Sequence, residues 1–174
     1  FYLSPVALLV ILGYSYTKRF TALCHLVLGL GLSLSPIGAY LAVTAQFDIL
    51  PILFSSIVLF WVSGFDIIYA LQDESFDKKF NLHSIPVLLG KRNALVFSRF
   101  LHLITASILV YIGLNYFENS TLFWIACFVF IALLFNQHRL VKADDLSKIN
   151  LAFFTTNGIA SVLFGTLIIL ELLF

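Results

Sequence analysis

Trp61-Val-Ser-Gly-Phe-Asp-Ile-Ile-Tyr-Ala-Leu-Gln-Asp-Glu-Ser-Phe-Asp77 decides the reading of this chain, because it carries three aspartates out of a long apolar run. Continued as an α-helix at about 100° per residue, spacings of seven and four set Asp66, Asp73 and Asp77 on one face, within roughly 40° of one another. Like charges stacked in this way repel, and ionised groups at or near hydrocarbon are expensive. The stretch therefore predicts a compensating cation. A hard divalent ion such as Mg²⁺ suits an all-oxygen donor set, so the expectation is metal chemistry at a membrane boundary.

The surrounding composition agrees. Of 174 residues, 61% are hydrophobic and 11% charged, which is more apolar surface than a soluble core of this length could hide. The expected fold class is all-α, a polytopic transmembrane helical bundle. Apolar runs measured against the roughly 20 residues needed to cross a bilayer fall at approximately 1–14, 21–44, 49–72, 93–115, 121–137 and 150–173. The connections are short, so residues 1–174 read as a single transmembrane domain. The chain opens without Met at Phe1-Tyr-Leu-Ser-Pro-Val, inside an apolar run, with neither the basic start nor the cleavage site of a signal peptide. An N-terminally truncated domain is the expectation.

Charge sorts the connections. Lys18 and Arg19 lie in the first; Lys78, Lys79, Lys91 and Arg92 in the third, with Arg99 about two turns beyond; Arg139, Lys142 and Lys148 in the fifth. All ten basic residues thus fall on one side, while the second and fourth connections carry only Asp48 and Glu118 as formal charges. The positive-inside rule makes the odd-numbered connections cytoplasmic, placing Asp66, Asp73 and Asp77 at the cytoplasmic end of the third segment. Membrane lipid is an expected partner, with the acidic stretch toward the cytoplasm. The net charge of +1, with no basic patch interleaved with exposed aromatics, argues against a nucleic-acid partner.

Other features read as structural. Cys24 and Cys127 sit in separate apolar stretches without metal-ligand spacing. Gly29-x-Gly31 continues as a membrane helix with no strand before it, so it is not a phosphate loop. Gly31/Ser35 and Gly38/Ala42 around Pro36 have the spacing of small residues that let helices approach closely. His25, His102 and His138 have no ligand spacing with one another and read as packing or interfacial residues, whereas His83 lies near the acidic stretch.

Asp66-Ile-Ile-Tyr-Ala-Leu-Gln-Asp-Glu-Ser-Phe-Asp77 resembles the second aspartate motif, D-x-x-Y-A-x-x-D-x-x-x-D, of the UbiA family of intramembrane prenyltransferases. His83-Ser-Ile-Pro-Val-Leu-Leu-Gly90 is similar to the S-[TIL]-[AP]-x-x-x-G stretch that follows it in the 4-hydroxybenzoate polyprenyltransferase branch. Tyr14-Ser-Tyr-Thr-Lys18-Arg19-Phe-Thr21 resembles that branch's Y-x-x-x-K-R-[YF]-T loop, and Leu28-Gly-Leu-Gly through Ala39 resembles the helix after it. These motifs, in the right order, cover most of residues 14–100. The resemblance implies a fold of nine transmembrane helices around a central cavity, of which the six segments here correspond to the last six. The family's first motif, N-D-x-x-D-x-x-x-D, is not in this sequence, so the 174 residues alone are expected to be inactive.

The implied activity is transfer of a polyprenyl group from polyprenyl diphosphate to an aromatic carboxylate acceptor such as 4-hydroxybenzoate, in quinone biosynthesis. By resemblance, Mg²⁺ ions bridge the two aspartate motifs and the diphosphate, with Asp73 and Asp77 as metal carboxylates. Asp66 then either supports that site or positions the acceptor. Tyr69, within about 60° of Asp66 on the helix, could hydrogen-bond phosphate or acceptor. Lys18 and Arg19 would hold diphosphate or an acceptor carboxylate, the planar guanidinium being the better bidentate partner.

Plainer readings stand beside these. Asp73 and Asp77 could be a hydrated helix end with Lys78 and Lys79 as counter-ions, Asp66 a buried structural carboxylate, and Lys18 with Arg19 a topological signal. Within the family, Asp73-Glu-Ser-Phe-Asp77 with its His-Ser-Ile-Pro continuation also resembles members that prenylate a naphthoate or a futalosine-derived carboxylate for menaquinone. An ion-coupled transporter is the reading from another class, and it predicts carboxylates near the bilayer midplane and inverted repeats.

Overall fold

Short polar residues and prolines mark where the helices begin. Pro5 occupies the first turn of α1 (Ser4–Thr17), where a missing N–H costs nothing. The Asp48 carboxylate accepts the Leu50 N–H at the start of α3 (Ile49–Ala70). Ser84 and Ser120 accept the Val87 and Phe123 N–H groups at the starts of α5 (Ile85–Tyr116) and α6 (Thr121–Leu140). The remaining helices are α2 (Cys24–Thr44), α4 (Glu74–Lys79) and α7 (Asn157–Leu173). The computed structural model describes residues 3–173, so Phe1 and Tyr2, which open the first expected segment, lie outside the described residues, as does Phe174.

Five helical stretches are long and apolar enough to cross a membrane: Cys24–Thr44, Ile49–Lys79, Ile85–Tyr116, Thr121–Leu140 and Leu151–Leu173. The expected all-helical, polytopic bundle is thus the observed one, with α1 as a shorter apolar helix of 14 residues. Two local departures matter for the site. The third stretch is not one continuous α-helix, because Leu71–Asp73 tighten into a 3₁₀ turn between α3 and α4. The segment expected from residue 93 starts at Ile85, nucleated by the Ser84 cap and Pro86, and is broken at Gly90, where φ is 75° and ψ 160°. That conformation is essentially reserved for glycine, which accounts for the last residue of the His83–Gly90 stretch.

The α2–α3 pair forms the frame of the molecule. A Cβ at Gly29 would overlap Ser63 Oγ and the Leu59 carbonyl, so only glycine permits this approach. The Ser63 hydroxyl is shared between the Leu59 carbonyl at 2.7 Å and the His25 carbonyl at 3.2 Å. Packing then divides into two clusters. One centres on Ile67, Ile68, Leu71, Leu95 and Val141, the other on Ile57, Leu109, Phe123 and Phe130. Between lipid-embedded helices such contacts act through close packing and not through expulsion of water.

The first cluster lies where the basic connections gather. The His83 N–H donates to the Lys18 carbonyl at 2.7 Å, tying the first connection to the third, and Val141 and Ile149 of the fifth are buried in the same cluster. All three odd-numbered connections therefore share one end, as the charge pattern requires.

Candidate active site

Three helices line a cavity of about 230 Å³ at that end. Asp66, Tyr69, Ala70 and Asp73 enter from α3 and the turn after it, at the i, i+3, i+4, i+7 spacing of a single helical face. Cys24, His25 and Leu28 come from α2; Tyr14 and Ser15 from α1, with Lys18 at its cap. Asp66 Oδ2 accepts a hydrogen bond from His25 Nδ1 at 2.7 Å. Tyr69 stacks on Phe153 at 4.1 Å between ring centroids. Phe153 belongs to a π-helical turn, Leu151–Thr156, which feeds into α7. Such wide turns are often found where a helix must re-aim side chains at a functional site.

The structure divides the three aspartates that an uninterrupted helix would align. At three residues per turn, the 3₁₀ segment advances the face by about 20° more per residue than an α-helix does. Asp66 and Asp73 stay on the cavity wall, and Asp77 turns into the protein, fully buried, with Lys18 Nζ 2.8 Å from its Oδ1. That contact is a charge pair and not a directed hydrogen bond, and Asp77 Oδ2 has no hydrogen-bond partner either. Among the described residues, no three His, Cys, Asp or Glu side chains converge closely enough to hold a metal by themselves.

The donor set nevertheless fits Mg²⁺ in its commoner mode, one or two carboxylates with the remaining positions filled by substrate phosphate and water. Asp66 and Asp73 share a wall with a lysine and present only oxygen ligands, while Asp77 keeps carboxylate oxygens free of directed hydrogen bonds beneath them. Lys18 both lines the cavity and neutralises Asp77. Arg19 lies elsewhere: it is exposed, its guanidinium 5.8 Å from the centre of the Tyr16 ring, and it is not part of the cavity wall.

A second cavity of about 440 Å³ continues along the same helices. Leu32, Ser35 and Pro36 extend the face of α2 that carries His25 and Leu28; Val58, Trp61, Val62 and Phe65 extend the face of α3 that carries Asp66; Asn157, Gly158 and Ser161 of α7 complete it. An aromatic ladder spans the junction, with ring centroids 5.5 Å apart for Trp61–Phe65 and 5.4 Å for Phe65–Phe153, before the Phe153–Tyr69 stack. His25 on the cavity wall, and Phe153 stacked on Tyr69 behind it, are the residues that spacing alone did not expose. The available signal for His25 was its position one turn before Gly29, on the buried side of α2.

Fold and site together define a polytopic helical membrane protein with a charged pocket at one end of an apolar one. Residues 1–159 match the UbiA prenyltransferase family, and the chain belongs to it. It is similar to the 4-hydroxybenzoate octaprenyltransferase of Nitrosomonas europaea, 31% identical over 172 residues that cover 99% of this chain and 58% of that protein. The protein of the same name from Aeromonas hydrophila is 29% identical, covering 96% of this chain and 58% of its own length. Among solved structures, the apo form of a UbiA homolog from Aeropyrum pernix superposes with a TM-score of 0.85 at 26% identity, over 98% of this chain and 63% of that one. The chain thus spans less than two thirds of the length of each.

Proposed function

We propose that this chain carries part of the active site of an intramembrane prenyltransferase, which transfers a polyprenyl group from polyprenyl diphosphate to an aromatic acid of the 4-hydroxybenzoate type in quinone biosynthesis. The observation that carries this reading is the succession of a charged and an apolar cavity along the same faces of α2 and α3. Carboxylates and a lysine line the end where a diphosphate would sit, and the same helical faces lead directly into an apolar cavity that suits an isoprenoid tail. The names of the relatives point to the same acceptor class. The proposed setting is the cytoplasmic membrane of a bacterium, with the charged cavity toward the cytoplasm and membrane lipid around the helices.

Mg²⁺ bound by Asp73, with Asp77 in support, would supply charge neutralisation for the departing diphosphate. Lys18 adds a positive charge on the same wall. As the allylic C–O bond breaks, its electron pair leaves with diphosphate, and the allylic cation is shielded by the negative faces of Tyr69, Phe153 and Phe65. Asp66 accepts a hydrogen bond from the ring hydroxyl of the acceptor and raises the electron density of the ring. The ortho carbon forms the new C–C bond, and the ring proton passes to the released diphosphate. The apolar walls of the second cavity offer water few hydrogen-bond partners, which limits capture of the cation by solvent.

The test is conversion of 4-hydroxybenzoate by membranes containing the full-length gene product, supplied with a polyprenyl diphosphate and Mg²⁺. Product should form, disappear on chelation by EDTA, and return with added Mg²⁺. An acceptor panel that includes a naphthoate separates the two quinone routes. Absence of any prenylated aromatic acid across the panel would sink the proposal.

A further inference from the structure

His25 is buried at 3% exposure inside the bundle, yet both ring nitrogens have partners on other helices. Nδ1 lies 2.7 Å from Asp66 Oδ2 on α3, and Nε2 lies 3.4 Å from the backbone N of Ile85, the first residue of α5. In the neutral ring the second contact sets the roles in the first. A backbone N–H can only donate, so Nε2 accepts and Nδ1 carries the proton that Asp66 receives. The Ile85 N–H is one of the donors that every helix leaves unsatisfied in its first turn, and His25 takes it up. The backbone of His25 is also held, since its carbonyl accepts the Ser63 hydroxyl and Gly29, one turn on, lets α2 press against α3.

The consequence falls on Asp66. With Oδ2 engaged by His25, Oδ1 has no protein partner among the described residues, and the carboxylate lies on the wall of the charged cavity. A carboxylate held by one oxygen presents the other in a fixed direction. We propose that His25 is the positioning residue that aims Asp66 at the ring hydroxyl of the aromatic acceptor, so that α2 and α5 together set the acceptor's orientation through a single imidazole. This rests on the reading of the site as a prenyltransferase pocket. It assigns His25 a role on the acceptor and none on the diphosphate.

The test compares His25→Leu, which fills similar space without a donor, with His25→Gln, whose amide N–H can still reach Asp66. Both are made in the full-length gene product, and thermal midpoints in detergent are recorded to separate folding from function. In His25→Leu, kcat/KM for 4-hydroxybenzoate should fall about 100-fold, the scale expected when a reacting partner is misplaced by about 1 Å, while the KM for polyprenyl diphosphate stays unchanged. His25→Gln should recover most of the loss. In an Asp66→Asn background, His25→Leu should cost little further, because residues acting through one another are not additive.

Equal losses in the Leu and Gln variants, a loss confined to the diphosphate substrate, or additive losses with Asp66→Asn would each overturn the inference. Titration of the detergent-solubilised protein with 4-hydroxybenzoate alone gives a readout that does not need turnover. Binding should weaken in His25→Leu and recover in His25→Gln. A wild type that transfers nothing and binds no aromatic acid overturns the functional reading and this inference together. A working wild type matched by His25→Leu overturns this inference only.

Discussion

The cavity between α1, α2 and α3 places Lys18, His25, Asp66 and Asp73 around about 230 Å³, whereas the one between α2, α3 and α7 has about 440 Å³ and only Ser35, Trp61, Asn157 and Ser161 to offer as polar side chains. Both are lined by the same faces of α2 and α3. A shift of about seven residues along those faces, about 10 Å, is enough to change the chemistry from charged to apolar. The difference teaches how a membrane protein keeps ionised groups. They sit at the end of the bundle where connections supply counter-charges and helix-end donors, and they stop where the helix enters hydrocarbon.

Removing the charge of the first cavity should have the largest effect. Asp73→Ala is expected to lower aromatic prenylation in membranes by at least about 100-fold without moving the thermal midpoint, as when a group stabilising transition-state charge is lost. Product formation measured by mass spectrometry checks this, and wild-type turnover in the variant would remove Asp73 from the chemistry.

Lys18→Met tests the charge pair beneath the wall. Asp77 is fully buried and Lys18 partly exposed, so stranding the carboxylate should destabilise the protein by about 2 kcal/mol, after discounting for screening at Lys18. Replacing both, as Lys18→Met with Asp77→Leu, should restore the thermal midpoint while activity stays low. A double variant no more stable than the single one would show that the pair does not act as a unit.

The apolar cavity should respond to tail length alone. Trp61→Ala is expected to change the KM for a long-chain polyprenyl diphosphate by about tenfold, leaving a short-chain donor and the aromatic acid unaffected. An effect on the acceptor of equal size would erase the division between the two cavities. Smallest of all is Arg19→Ala, which should alter turnover by less than about twofold, as expected for an exposed residue off the cavity wall. A loss approaching that of Asp73→Ala would mean that Arg19 swings into the site during the reaction.

Hydropathy and the placement of ten basic residues were enough to read a helical membrane bundle and to put all three aspartates near one end, because bilayer thickness and charge asymmetry act on sequence directly. The acidic stretch, with Tyr69 and Lys18, was legible by its spacing and by its likeness to a known motif. The separation of Asp77 from Asp66 and Asp73 was not, because extrapolating a uniform helix across Leu71–Asp73 ignores a tightened turn that no residue in the stretch announces. Gly90 stood in the motif as a letter, and only its positive φ gave the reason.

By itself the sequence determined which segments are long and apolar enough to cross a membrane, which end carries charge, and which carboxylates gather at that end, since these follow from transfer energies and periodicity along one chain. Only the tertiary structure decided which partner each carboxylate has: His25 for Asp66, Lys18 for Asp77, and a cavity wall for Asp73. Those pairings join residues up to 59 positions apart, across three helices brought together by a glycine at the α2–α3 contact. Close packing in three dimensions sets them, and no local pattern in the chain encodes it.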